Sequence, residues 1–259
     1  MALFYLTRQF NCGILCAKGR VYMQILSIGN SFSHDATRYL HQIARTDGVD
    51  LNVANLFIGG CSLYTHFKNM KGDLKAYHLG FNGENTEFMV SIQEALLSRE
   101  WDVVTLQQAS HFSYQPDTYN PYITELKNYI QEYCPKAKIY IHQTWGYETG
   151  SERLTNRGYT TYADMFKDVE KAYNLAFETI HADGMLKSGA LLKALLENGA
   201  ETVHRDTFHA SLGLGRYAIA LLWYKTLTGN TIMENTFSDF DVPVSDKEIK
   251  IAKNCVENL

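Results

Sequence analysis

The sequence predicts an α/β fold in which a central parallel sheet of five strands is covered by helices on both faces. Two observations carry this. From residue 23 onward, short apolar runs of strand length alternate with longer stretches whose apolar residues recur every three or four positions. That alternation, with short connections, marks parallel strands joined by crossover helices. The size also fits, because 259 residues with 46% hydrophobic content can bury one large α/β core or two small ones. No repeat, low-complexity tract or linker interrupts the pattern. Residues 23–259 therefore read as a single domain and residues 1–22 as an N-terminal extension.

The first strand, residues 23–28, is a continuous apolar run that meets Gly29. Ala36, Tyr39, Leu40, Ile43 and Ala44 then follow helical spacing up to Gly48. Residues 51–58 form the second strand, closed by Gly59-Gly60. Phe88, Ile92, Ala95 and Leu96 mark a helix before the third strand, residues 101–106. Pro121 suits the first turn of a helix, which Ile123, Leu126, Ile130 and Tyr133 continue until Pro135 ends it. Residues 138–143 make the fourth strand. The longest amphipathic stripe is Tyr162, Met165, Phe166, Val169, Tyr173, Ala176 and Ile180. A fifth strand near Met185 follows, then helices at 190–197 and 210–226. The capping box Ser245-Asp246-Lys247-Glu248 opens a terminal helix. Two stretches, 66–87 and 147–159, are weakly periodic, contain Gly and Tyr, and read as loops around a cleft.

A net charge of −4 without any Lys/Arg run excludes nucleic acid as a main partner. No apolar run is long enough to span a bilayer, so no membrane partner is expected. The five cysteines (Cys12, Cys16, Cys61, Cys134, Cys255) are odd in number and scattered. They suit free thiols in a reducing compartment, which points to the cytoplasm. Cys12 and Cys16 have no second Cys/His pair nearby to complete a zinc site, and the nine histidines show neither His-x-x-His nor His-Glu-x-x-His spacing. No metal or cofactor is expected. Residues 1–22 are mildly apolar, but Arg8 interrupts them and no cleavage site follows, unlike a signal peptide. The 17 tyrosines suit a packed core and a sugar-binding cleft equally.

Chemistry concentrates in two places. Gly29-Asn30-Ser31 stands where the first strand runs into a helix, at the end of a parallel strand where α/β sheets carry their sites. Taken alone, a serine there is most often a helix cap. Asp206-Thr207-Phe208-His209 supplies what a serine nucleophile needs: an imidazole to take the hydroxyl proton and a carboxylate to hold its tautomer. Asp-x-x-His alone is common and mostly structural, so the conjunction carries the signal. The Gly-x-Ser-x-Gly elbow of α/β-hydrolases is absent.

With Gly60 after the second strand, the order of these blocks resembles the SGNH hydrolases, also called GDSL esterases/lipases, over roughly residues 23–227. Within them, Ile28-Gly29-Asn30-Ser31-Phe32-Ser33, Ile58-Gly59-Gly60-Cys61-Ser62-Leu63, Leu106-Gln107-Gln108-Ala109-Ser110 and His142-Gln143-Thr144-Trp145 are similar to a DUF4886-like bacterial branch. The resemblance implies a flavodoxin-like three-layer α/β/α sandwich and a triad of Ser31, His209 and Asp206. It also implies an oxyanion hole built from the Ser31 and Gly60 backbone N–H groups plus one side-chain amide. Two departures stand out. Gly-Asp-Ser reads Gly-Asn-Ser here, and Leu106-Gln107-Gln108-Ala109-Ser110-His111 stands where Gly-x-Asn-Asp is usual. A glutamine amide can donate as asparagine does, through one more methylene. Gln108 is therefore assigned that role, with Gln107 and His111 as alternatives; the competing reading is that these side chains merely tie loops together.

His142 and Trp145 end the fourth strand and are expected to bind substrate, Trp145 by covering an acyl group or stacking on a sugar. Packing is the competing reading for Trp145. His34 reads as an exposed helix-entry residue, and Arg205 either binds a substrate carboxylate or pairs with a surface acid. The expected activity is hydrolysis of small-acyl esters, acetyl groups on carbohydrate above all, so the expected partner is a small-molecule or carbohydrate ester. A catalytically silent carbohydrate-binding module on the same fold and a metal-dependent hydrolase are the alternatives.

Overall fold

The middle of the sheet is β1 (Tyr22–Gly29), whose run from Gln24 to Gly29 is buried. The computed structural model describes residues 22–259, so the extension up to residue 21, with Cys12 and Cys16, lies outside the described residues. β1 pairs in parallel with β2 (Asp50–Phe57) on one side and β5 (Val103–Leu106) on the other. Beyond β5 lie β6 (Lys138–Gln143) and β7 (Gly184–Lys187), also parallel. These are the five strands expected from the apolar runs. Their spatial order is that of a flavodoxin-like sheet, with its switch point between β1 and β5.

Two further strands correct the expected count. β3 (Tyr77–Phe81) and β4 (Glu84–Val90) form an antiparallel hairpin that extends the sheet to seven strands, in the order β4-β3-β2-β1-β5-β6-β7. The stretch 66–87 is thus not a cleft loop, and Phe88 lies exposed on β4 rather than in a helix. The hairpin turn is Asn82-Gly83, both with positive φ (52° and 88°). That is the pairing a two-residue turn favours. A Cβ on Gly83 would lie 2.1 Å from the Arg38 carbonyl oxygen, so glycine is required there for space as well as conformation.

Helices fill both faces. On one side α1 (Ser31–Thr37), α2 (Leu40–Thr46), α8 (Ser188–Glu197), α9 (Leu214–Thr228) and α10 (Asp246–Glu257) pack together; on the other stand α3 (Leu63–Lys71), α4 (Ile92–Leu97), α5 (Tyr122–Tyr133) and α7 (Tyr162–Ile180). A single turn, α6 (Glu152–Thr155), sits in the loop after β6. α7 buries the whole expected stripe and opens on a Thr161/Asp164 capping box, while α10 opens on the anticipated Ser245/Glu248 box. The helix read through Tyr39 is two short helices, because Tyr39 leaves helical geometry and its hydroxyl donates to the Leu212 carbonyl while accepting from the Asp241 N–H. α9 is buried continuously from Leu214 to Tyr224, as a helix walled by other helices must be. Among the described residues, no helix is long and apolar enough to cross a membrane.

Candidate active site

Buried amides lace together the strand ends beneath Ser31. Asn30 is extended and caps α1, its Oδ1 accepting the Phe32 N–H at 3.0 Å. Its Nδ2 donates to the Cys61 carbonyl at 3.1 Å, fixing the loop after β2 that carries Gly60. Gln107 Nε2 donates to Asn30 Oδ1 at 2.6 Å, and Gln107 Oε1 accepts from His142 Nδ1 at 2.7 Å. One relay therefore ties together the ends of β1, β5 and β6. Gly29 is needed in it, since a Cβ there would lie 2.6 Å from Ser33 Oγ and 2.8 Å from Gln107 Cδ.

Ser31 is the first residue of α1, and its hydroxyl lies 2.8 Å from His209 Nε2. His209 Nδ1 lies 2.7 Å from Asp206 Oδ2, and the His209 backbone N–H donates to Asp206 Oδ1 at 2.9 Å. The carboxylate can only accept, so Nδ1 carries the proton and Nε2 accepts from the serine. Burial alone would raise the Asp206 pKa. The hydrogen bonds from the His209 side chain and backbone outweigh it and hold the carboxyl below its ordinary value. The turn between them is tight: Thr207 adopts φ +73°, a left-handed conformation that costs a β-branched residue energy and persists only where its surroundings enforce it. Those surroundings are visible. Glu148 N–H donates to the Thr207 carbonyl at 2.8 Å, and Trp145 Nε1 donates to the Phe208 carbonyl at 2.8 Å.

The helix that carries Ser31 and the loop that carries Asp206 and His209 share a buried anion. Asp35, one turn after Ser31 and fully buried, accepts from Arg205 Nη1, Arg216 Nε and the Ala210 N–H. Arg205 thus pairs with a buried acid and not with substrate. His34 is half-buried against Phe57, their ring centroids 5.0 Å apart, and burial lowers its pKa.

The cleft above Ser31 has a volume of about 390 Å³ and is walled by Gly59-Gly60, Ser110, His111, Tyr147, Arg153, Arg157 and Phe208. The 147–159 loop does border it, as expected. Gly60 has φ +64°, and neither its N–H nor that of Ser31 is taken by another acceptor among the described residues. Burial, reinforced by the Arg157 guanidinium, lowers the His111 pKa.

Three expected roles are corrected. Gln108 does not face the cleft: its Oε1 accepts from the Leu63 and Ala109 N–H groups, and its Nε2 donates to the Thr118 carbonyl and hydroxyl. Gln107 is likewise committed beneath the cleft. Trp145 is fully buried, stacked on Phe32 with centroids 4.1 Å apart, and supports the triad loop. His142 is fully buried too, edge-on to Trp223. The sequence reading missed Tyr147, Phe208, Arg153 and Arg157 as cleft walls; only the irregular 147–159 loop pointed toward three of them.

Two predictions arise here. Gln108→Ala strands the buried Leu63 and Ala109 N–H groups and should cost about 1–3 kcal/mol in urea unfolding. Unchanged stability with a hundredfold lower kcat would instead return Gln108 to the oxyanion hole. The second concerns acid. Burial pushes His142 and His66 down to about 3 from 6.5. Between those values the unfolded chain binds protons that the fold refuses, so stability falls as pH drops, by up to about 1.4 kcal/mol per pH unit for each ring. Urea unfolding at about pH 7, 5.5 and 4.5 should show this slope, and His142→Gln should flatten it. A wild-type stability independent of pH over that range would refute the assignment.

The fold is thus a three-layer α/β sandwich with a flavodoxin-like sheet, in which a serine at the end of the first strand meets an Asp-x-x-His turn late in the chain. The family described as Domain of unknown function (DUF4886) matches residues 24–258, and the chain belongs to it. Among solved structures it is similar to a DUF4886 family protein from Bacteroides uniformis, at 31% identity and TM-score 0.86, over 92% of this chain and 94% of the other. The fold is shared by a member of the lipolytic protein G-D-S-L family from Veillonella parvula (12% identity, TM-score 0.52, 80% and 97% covered). It is shared also by a carbohydrate esterase family 3 protein from Talaromyces cellulolyticus (10% identity, TM-score 0.54, 80% and 97% covered). No curated protein sequence matches the chain.

Proposed function

We propose that the protein is a serine esterase that hydrolyses small-acyl esters, acetyl groups on carbohydrate being the favoured class. The observation that carries this reading is the unbroken relay Ser31–His209–Asp206, with both bonds below 3 Å. In the proposed cycle His209 Nε2 takes the Ser31 proton as Oγ adds to the ester carbonyl. The Ser31 and Gly60 N–H groups receive the developing oxyanion. Ser110 after β5 and Tyr147 after β6, whose hydroxyls lie 3.1 Å apart at the cleft wall, supply the side-chain donor in place of the amide. His209 then gives its proton to the leaving alkoxide, and water repeats the sequence to release the acid. Asp206 keeps the ring oriented and stabilises the imidazolium.

The small cleft supports a short acyl group. The fold shared with a carbohydrate esterase family 3 protein is compatible with that class. Among the described residues, no three His, Cys, Asp or Glu side chains gather in a way that could hold a metal ion. Labelling with a fluorophosphonate, located by mass spectrometry, tests the reading: an esterase is modified at Ser31, whereas a silent binding module stays unlabelled. Hydrolysis of p-nitrophenyl acetate should also survive EDTA; loss restored by a divalent ion would favour metal-dependent chemistry.

A further inference from the structure

Two exposed arginines border the cleft of Ser31 and His209, where the Asp206 carboxylate is already engaged by His209. The chain carries a net charge of −4, yet Arg153 and Arg157 both wall the cavity of Ser31 and His209, and no Asp or Glu lines it. Among the described residues neither guanidinium enters a salt bridge. Arg153 lies over the Phe208 ring, 3.9 Å from its centroid, and 5.8 Å from that of Tyr147. Stacking of that kind holds a guanidinium plane in place while leaving its edge N–H donors free for a planar or tetrahedral oxyanion. Arg157 stands near enough to His111 to help lower its pKa, and it borders the same cleft as Arg153.

The chemistry gives these cations a side. A general acid must touch the leaving oxygen, so the alcohol half of an ester departs past His209 Nε2. Phe208, with its ring centroid 3.8 Å from that of His209, and Arg153 over it therefore flank the alcohol and not the acyl group. We propose that the substrate is an ester whose alcohol half carries an oxyanion, a carboxylate or sulfate on a sugar ring, bound by Arg153 and Arg157. This rests on the esterase reading for its orientation, while the anion preference stands on the cleft's charge alone.

The test compares the acetyl esters of methyl glucuronide, methyl glucoside 6-sulfate and methyl glucoside, with p-nitrophenyl acetate as a control for esterase activity. One or both anionic sugars should exceed the neutral one in kcat/KM by about 10–100-fold, the advantage expected of charge-assisted hydrogen bonds. The better of the two identifies the carboxylate or the sulfate as the group recognised. The ratio should shrink in about 1 M salt, fall toward one in Arg153→Gln/Arg157→Gln, and be partly kept by Arg153→Lys. Hydrolysis of p-nitrophenyl acetate with equal rates on all three sugars overturns the inference and leaves the esterase reading standing. A preference seen only for an acyl-side anion (mono-p-nitrophenyl succinate over the butyrate) overturns the assignment to the alcohol. If no ester is cleaved, calorimetry with the free sugars separates the two ideas. Glucuronide or sulfate binding that is lost in the double variant supports the anion site while the esterase reading falls; equal or absent binding of all three sugars sinks the anion site as well.

Discussion

Ser31→Ala should lower kcat on p-nitrophenyl acetate by about 10⁴–10⁶-fold while leaving the protein folded. The size of the loss follows from the absence of a substitute. Ser33 is the nearest serine in sequence, but it is fully buried and its hydroxyl donates to the Asn30 carbonyl at 2.7 Å. The Ser110 hydroxyl is paired with that of Tyr147 at 3.1 Å. Among the described residues, only the Ser31 hydroxyl is hydrogen-bonded to the His209 ring. Stability should move little, because Ser31 Oγ makes its one recorded bond to that histidine. Because serine and histidine act as a unit, Ser31→Ala/His209→Ala should be no slower than either single variant. Turnover by Ser31→Ala within tenfold of wild type, with an unchanged circular dichroism melt, would end the triad assignment.

What the sequence disclosed, and what it hid, divides along physical lines. The five parallel strands were legible because strands buried on both faces read as unbroken apolar runs. The contacts of Ser31, His209 and Asp206 were legible because Asp206 and His209 lie three residues apart in one turn and Ser31 stands at a strand-to-helix seam. The β3–β4 hairpin was harder, since β4 is mostly exposed and lacks the alternation of a half-buried strand. Its one signal was Asn82-Gly83, a turn pair that the reading passed over.

Side chains at the strand ends were misplaced for a different reason. Sequence shows that Gln107, Gln108, His142 and Trp145 follow β5 or lie at the end of β6, but not which of them later elements will cover. Gln108 is closed over by Thr118 from the segment before α5 and by Leu63 at the start of α3, and Trp145 by Phe32 and Phe208. Such contacts are long-range, and no local period encodes them. The arginines of the cleft wall come from an irregular loop, where periodicity has nothing to report.

Asp35→Ala should be the most destabilising single change near the site, by about 3–5 kcal/mol, the cost of stranding buried charge. Asp35 is fully buried and binds two guanidiniums: Arg205 at 2.9 Å through both carboxylate oxygens, and Arg216 at 2.9 Å. Arg216 in turn reaches Asp241 at 2.6 Å, and Arg38 joins the same acid, so the network links α1, α9 and the hairpin-side surface. Removing its central anion leaves Arg205 without a paired acid and Arg216 with Asp241 alone, and it frees the Ala210 N–H as well. For a chain of this size the loss corresponds to a melting temperature lower by about 6–20 °C. Asp35→Asn keeps the shape and some acceptors but no charge, so its cost should be smaller. Arg216→Met added to Asp35→Ala should recover part of the loss, a coupling that a double-mutant cycle measures directly. Activity should report the same bond. Asp35 holds α1, which carries Ser31, against the loop that carries Asp206 and His209; at temperatures where Asp35→Ala is still folded, kcat should fall more than KM changes. Stability within about 1 kcal/mol of wild type, or no coupling to Arg216, would show that the two triad halves are held together by packing alone.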